Sequence, residues 1–71
     1  MTLMQYDGKK VRIESQDGVV LEGFVVAYMY PEDNEPEQIE SLIVEPYPGQ
    51  PFAGQCLEYY ERDIKTIRII R

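Results

Sequence analysis

The chain has no histidine and no tryptophan, a single cysteine, and no base between residues 31 and 61. Without histidine there is no imidazole base, no His–Cys nucleophile pair and no imidazole metal ligand. Cys56 stands alone, so no internal disulfide can form, and reducing, cytoplasmic surroundings are expected. It lies in an apolar stretch with no activating base beside it, which predicts a buried structural thiol. Ser15 and Ser41 belong to no nucleophile motif, and no glycine-rich phosphate loop is present. Glu58 and Glu61 could act as paired carboxylates only in a cleft that perturbs them, and the sequence predicts none. The reading is therefore no enzyme, no cofactor, no metal and no small-molecule substrate. No apolar run approaches membrane-spanning length, since Glu22 interrupts the longest, so no membrane is expected. Met1 to Tyr6 carries neither a basic start nor an apolar core, so no signal peptide is read there.

The absence of bases in the middle shapes the charge map. The chain has 71 residues and a net charge of −6. Glu32, Asp33, Glu35, Glu37, Glu40, Glu45, Glu58 and Glu61 fill the middle unopposed, whereas Arg62, Lys65, Arg68 and Arg71 face only Asp63. Nucleic-acid binders usually carry a basic stripe, because phosphate neutralisation supplies much of their affinity. This middle would repel a phosphate backbone. The acidic segment 31–38 offers oxygen ligands but lacks the ligand order and turn glycine of a calcium loop, so it reads as a solvated, self-repelling loop.

What is present is a hairpin. Gly8 to Tyr28, GKKVRIESQDGVVLEGFVVAY, reads as two strands around Asp17-Gly18. A two-residue turn would set Glu22 opposite Ile13, placing a carboxylate among apolar residues. Widening the loop to Gln16-Asp17-Gly18 pairs Ile13 with Leu21 and Val11 with Gly23. That register collects Val11, Ile13, Leu21, Gly23 and Val25 on one face and sends Lys10, Arg12, Glu14 and Glu22 outward. Gly18 then takes the left-handed position, where it carries no Cβ penalty. Gly23, inside a strand, marks a bend or a close backbone approach. The apolar run Phe24 to Tyr30 after it suggests a strand buried on both faces.

The spacing predicts five strands: Lys9–Ser15, Val19–Tyr30, Glu40–Glu45, Cys56–Tyr60 and Thr66–Ile70. Leu42 and Val44 share a face of the third, Leu57 and Tyr59 of the fourth, and Ile67 and Ile69 face inward on the fifth. Pro31 ends the second strand, and Glu61–Lys65 reads as one tight 3₁₀-type turn. Leu3 and Tyr6 are expected to cover one end of the fold. The proline- and glycine-rich stretch 46–55 is a long connection whose Tyr47 and Phe52 are read as lids folded onto the core. No repeat and no domain boundary appears, so the whole chain, 1–71, is one all-β domain: a small, strongly bent, antiparallel barrel. A core this small is marginal by itself, which makes oligomerisation a natural further source of stability.

The order Gly8, Lys9, Val11, Ile13, Asp17, Gly18, Leu21, Gly23, Val25, Tyr28 resembles the first motif of the Sm-like family. The resemblance implies a five-stranded SH3-like barrel and ring assembly, strand four of one subunit pairing to strand five of the next. It also implies single-stranded RNA at the inner rim of the ring. The departures fall on that last property. The family's Asp and Met-Asn pair after the aromatic are replaced by Met29 and, further on, Glu32 and Asp33, and its Arg-Gly step is Tyr60-Glu61 here.

Two function classes follow. One is a protein-interaction or self-assembly module, partnered by itself or by another protein through Glu58, Tyr59, Glu61, Arg68 and Arg71. The other is an RNA-binding module with a diverged pocket in which Tyr28, Tyr30 or Tyr60 stacks a base beside Lys65. On the first reading Glu58 and Glu61 meet Arg68 and Arg71 across a subunit junction. The competing role for the two arginines is to keep an open edge solvated.

Overall fold

A computed structural model describes residues 2–34, 36 and 38–71; Glu35 and Glu37 of the acidic stretch lie outside the described residues. Five strands, β1 (Lys10–Ser15), β2 (Val20–Met29), β3 (Ser41–Pro46), β4 (Leu57–Tyr60) and β5 (Ile64–Ile69), form one sheet in the order β4-β3-β2-β1-β5. Every ladder is antiparallel. Short 3₁₀ turns at Leu3–Tyr6, Pro31–Asp33 and Glu61–Asp63 complete the regular structure. Among the described residues, no helix is long and apolar enough to cross a membrane.

The hairpin has the wider turn. Ile13 pairs with Leu21 and Val11 with Gly23. Gly18 sits at φ +91, its N–H donating to the Ser15 carbonyl at 2.9 Å. The Asp17 carboxylate accepts from the Ser15 hydroxyl and from the Val19 N–H. Those two hydrogen bonds hold its pKa below the ordinary carboxylate value.

The core is the inner face of this sheet. Val11, Ile13, Leu21, Val25, Leu42 and Val44 are wholly buried, with Leu3, Tyr6 and Tyr59 closing around them. Leu3 and Tyr6 thus join the core as expected from the lead-in, and Glu40 holds that segment in place. Its carboxylate accepts from the Leu3 N–H and, at 3.2 Å, from the Thr2 hydroxyl.

The sheet is forced to curl. A flat five-stranded sheet would set β4 and β5 about 19 Å apart, at about 4.8 Å per strand. Only Glu61–Asp63 separate the end of β4 from the start of β5, and such a link reaches about 14 Å at most. Two ladder irregularities assist the curl, one at Val25/Ala27 in β2 and one opposite Glu14/Ser15, where Lys65 is the extra residue of β5. Gly23 is the third device. A Cβ placed there would lie 2.5 Å from the Glu45 carbonyl oxygen and 2.9 Å from Pro46 Cα, so only glycine admits the end of β3 this close.

Four expectations are corrected. Beyond Gly23, β2 is not buried on both faces: Phe24 and Val26 are exposed, because no second layer covers the outer face of the sheet. Cys56 is exposed rather than buried, since it lies just before β4 begins and pairs with no strand. Of the two expected lids only Tyr47 folds back; Phe52 is half-exposed on its loop at φ +62. Ile69 shares the inward register of Val11 yet is 50% exposed, because β5 is an edge and nothing packs beyond it.

Candidate assembly edges

The sheet order leaves β4 and β5 each paired on one side only. An unpaired strand presents a row of free N–H and C=O groups that can template another strand. The side chains along the two edges differ in sign.

On β4, Leu57 and Tyr59 pair with the buried Val44 and Leu42, and so face the core. Glu58 points to the outer face beside Ile43. Its carboxylate accepts from the Ser41 hydroxyl at 2.8 Å. Ser41 is fully buried and in turn accepts from the Asn34 amide at 3.0 Å. This chain of hydrogen bonds fixes the position of Glu58 while leaving the residue exposed. Glu61 follows at the strand end, exposed, its N–H donating to the Glu40 carbonyl at 3.1 Å.

On β5, Ile67 and Ile69 face inward opposite Ile13 and Val11, while Thr66 and Arg68 face outward opposite Glu14 and Arg12. Like charges directly opposite in a ladder are unfavourable, and Arg12 and Arg68 are such a pair. Arg12 is compensated from its other side by Glu22 at 3.3 Å. The Arg68 side chain makes no hydrogen bond or ion pair among the described residues. Lys65, at the bulge, lies 3.9 Å from Glu14. Arg71, exposed, lies beyond the end of β5.

Three grooves border these strands. One of ≈ 370 Å³ runs beside β4 and is lined by Asp17, Leu57, Glu58, Tyr59 and Asp63, among others. One of ≈ 320 Å³ is lined by Arg12, Glu14, Val20, Thr66, Ile67 and Arg68. The third, of ≈ 300 Å³, lies between Leu3, Glu61 and β5. Among the described residues no cluster of acids or cysteine is placed to hold a metal ion.

The residues of the RNA reading are only partly brought together. Tyr28 and Tyr30 have ring centroids 5.0 Å apart but stand edge to face at 81°, so they do not offer two parallel platforms. Burial raises the Tyr28 pKa, and its hydroxyl is engaged with Thr2 and Glu40. Tyr60 carries the Arg62 guanidinium 5.2 Å over its ring, and Lys65 is drawn to Glu14. Sequence reasoning missed three contributors to the edges: Arg12, Leu57 and the exposed Ile69. The signal for Arg12 was available, because the hairpin register already placed it outward, but its partner Arg68 is set by a ladder 56 residues away. Compared with protein-family models, curated proteins and solved structures, the chain matches none.

Proposed function

We propose that this chain is a non-catalytic self-assembly module of the Sm-like kind, working in reducing surroundings, whose copies join through the edges of their sheets. The observation that supports this reading is that the two open edges differ in character, with Glu58 on β4 and Glu61 just past its end, and Lys65 and Arg68 on β5. The Arg68 side chain, uncompensated among the described residues, supports it, because a neighbour's acid would relieve the Arg12–Arg68 contact. Exposed ion pairs contribute only about 0–1 kcal/mol each. The backbone ladder and the apolar side chains therefore supply most of the affinity, and the opposed charges select the partner edge.

Light scattering at micromolar concentration tests the reading. The expected mass is a multiple of 8.3 kDa that changes little between low and high salt. A mass of one chain at every salt concentration overturns it, and leaves Lys65 and Arg68 as charges that keep β5 from pairing. Labelled oligoribonucleotides provide the contrast: binding that weakens steeply with salt would favour the RNA-binding class instead.

A further inference from the structure

The chain has two Asp-Gly steps, Asp7-Gly8 and Asp17-Gly18, and both are exposed. In such a step the glycine nitrogen can attack the aspartyl side-chain carboxyl, because glycine has no Cβ to crowd the approach. A new N–C bond forms, the nitrogen gives up its proton, and the carboxyl OH leaves with that proton as water. A second water then opens the succinimide ring at either carbonyl. One opening restores aspartate. The other gives isoaspartate, in which the chain runs through Cβ and Cγ and a free carboxylate stays on Cα. We infer that this self-modification is live at Asp7 and silenced at Asp17 in the folded chain, which makes Asp7 the protein's isoaspartate site and, once converted, a substrate for an enzyme that methylates isoaspartyl carboxylates.

The two steps differ in what holds the carboxyl group. Both glycine N–H groups are committed, that of Gly18 to the Ser15 carbonyl at 2.9 Å and that of Gly8 to the Val25 carbonyl at 3.1 Å, so the amides do not separate them. The Asp17 carboxylate accepts from the Ser15 hydroxyl and the Val19 N–H. Ring closure needs the carboxyl carbon brought onto the Gly18 nitrogen, and these bonds, strengthened by the charge on the acceptor, must first break. They also favour the ionised carboxylate, whereas the form that loses water is the neutral acid. Gln16 pins the same turn to the link between β4 and β5. Its N–H donates to the Asp63 carbonyl at 2.9 Å and its side-chain amide to the Ile64 carbonyl at 3.3 Å.

At Asp7 these restraints are missing. Among the described residues no hydrogen bond or ion pair holds its carboxylate, so an exposed side chain is left to rotate. Conversion there has a structural effect. The Lys9 N–H donates to the Tyr6 carbonyl across this step at 3.1 Å. The added methylene lengthens the chain between Tyr6, a core residue, and β1, and so loosens the seat of the lead-in.

The test holds the full-length protein folded in warm, mildly acidic buffer, beside a sample unfolded in guanidinium chloride. Isoaspartate has the mass of aspartate, so it is read by electron-transfer fragmentation of the peptides. Methyl transfer from S-adenosylmethionine by an isoaspartyl methyltransferase gives a second readout. The folded sample should gain isoaspartate at position 7 and several-fold less at position 17, and the unfolded sample should gain it at both at similar rates. Ser15→Ala should raise the folded-state rate at position 17 several-fold and leave position 7 unchanged. Asp7→Glu, whose longer side chain does not close the succinimide ring, should remove most of the methyl acceptance of the folded protein. Position 17 converting as fast as position 7 in the folded wild type overturns the inference, as does a folded chain unconverted at both. This comparison needs no variant and decides the matter should Ser15→Ala not fold. A folded Ser15→Ala protein in which position 17 stays silent overturns the hydrogen-bond account of the silencing.

Discussion

At the scale of single residues, the least settled side chain is Tyr47. Its hydroxyl is buried with no hydrogen-bond partner, the one such side-chain atom among the described residues. The ring folds back from the proline- and glycine-rich loop, while the same residue's N–H continues the ladder to the Glu22 carbonyl at 3.0 Å. Leaving a hydroxyl unsatisfied away from water costs about 1–3 kcal/mol. Tyr47→Phe keeps the ring and the backbone bond and removes only that oxygen, so it should raise stability by about 1 kcal/mol. A denaturant melt in which the variant unfolds earlier than wild type would show that the hydroxyl is satisfied after all. Little of this was legible beforehand: an aromatic in a loop predicts a lid, but not which end of it meets water. Phe52, five residues on, received the same expectation and is exposed. Cys56 was misjudged because its apolar neighbours continue into β4 while it stops one residue short of the ladder.

At the scale of elements, the hairpin was readable because charge and turn chemistry act on the same few residues. Any other register would have buried Glu22, and Gly18 was available for the left-handed position. The glycine in β2 was readable as a close approach, but its partner was not, since the Glu45–Pro46 backbone arrives from more than twenty residues away. That contact is hard, backbone against Cβ. Gly23→Val should therefore cost about 3 kcal/mol through overpacking, read as a lower denaturation midpoint at an unchanged slope. An unchanged midpoint would mean that β3 can withdraw freely. The outer face of β2 was misread for a different reason. A run of apolar residues states hydrophobicity, not how many layers the fold has, and one curled sheet covers only its inside.

At the scale of the whole molecule, the sign and size of the charges set the response to pH. Burial, and secondarily the Asp17 carboxylate, raise the Tyr59 pKa above its ordinary 10.0. Burial also raises that of Tyr28. A raised folded-state value means that the unfolded chain releases its proton first. Stability is thus fully present below pH 10 and is lost as the pH climbs through the folded-state values. Tyr59 and Tyr28 should accordingly ionise above pH 10, read as tyrosine absorbance that rises together with the loss of fold. Ionisation of Tyr59 at the ordinary 10.0, with the fold intact, would contradict its burial. The open edges themselves were legible as a consequence of the strand count. Their opposite charge was legible too, because the acids and bases are segregated along the chain. The apolar share of those edges was not, since Ile69 reads as core until the sheet order shows that it has no neighbour.

The ladder between β1 and β5 has a consequence for biosynthesis. Of the five strands β1 is translated first and β5 last, yet they are hydrogen-bonded neighbours, Val11 to Ile69. While β2, β3 and β4 emerge and add themselves in sequence, β1 waits with one side open. Chains on neighbouring ribosomes then expose β1 and β4 as free edges, and β1 carries the fully apolar inner pair Val11 and Ile13. Its outward Lys10 and Arg12 and its short length discourage premature pairing during that interval. A nascent chain halted before Thr66 would expose this edge for as long as the halt lasts, and such intermediates are the ones prone to aggregate.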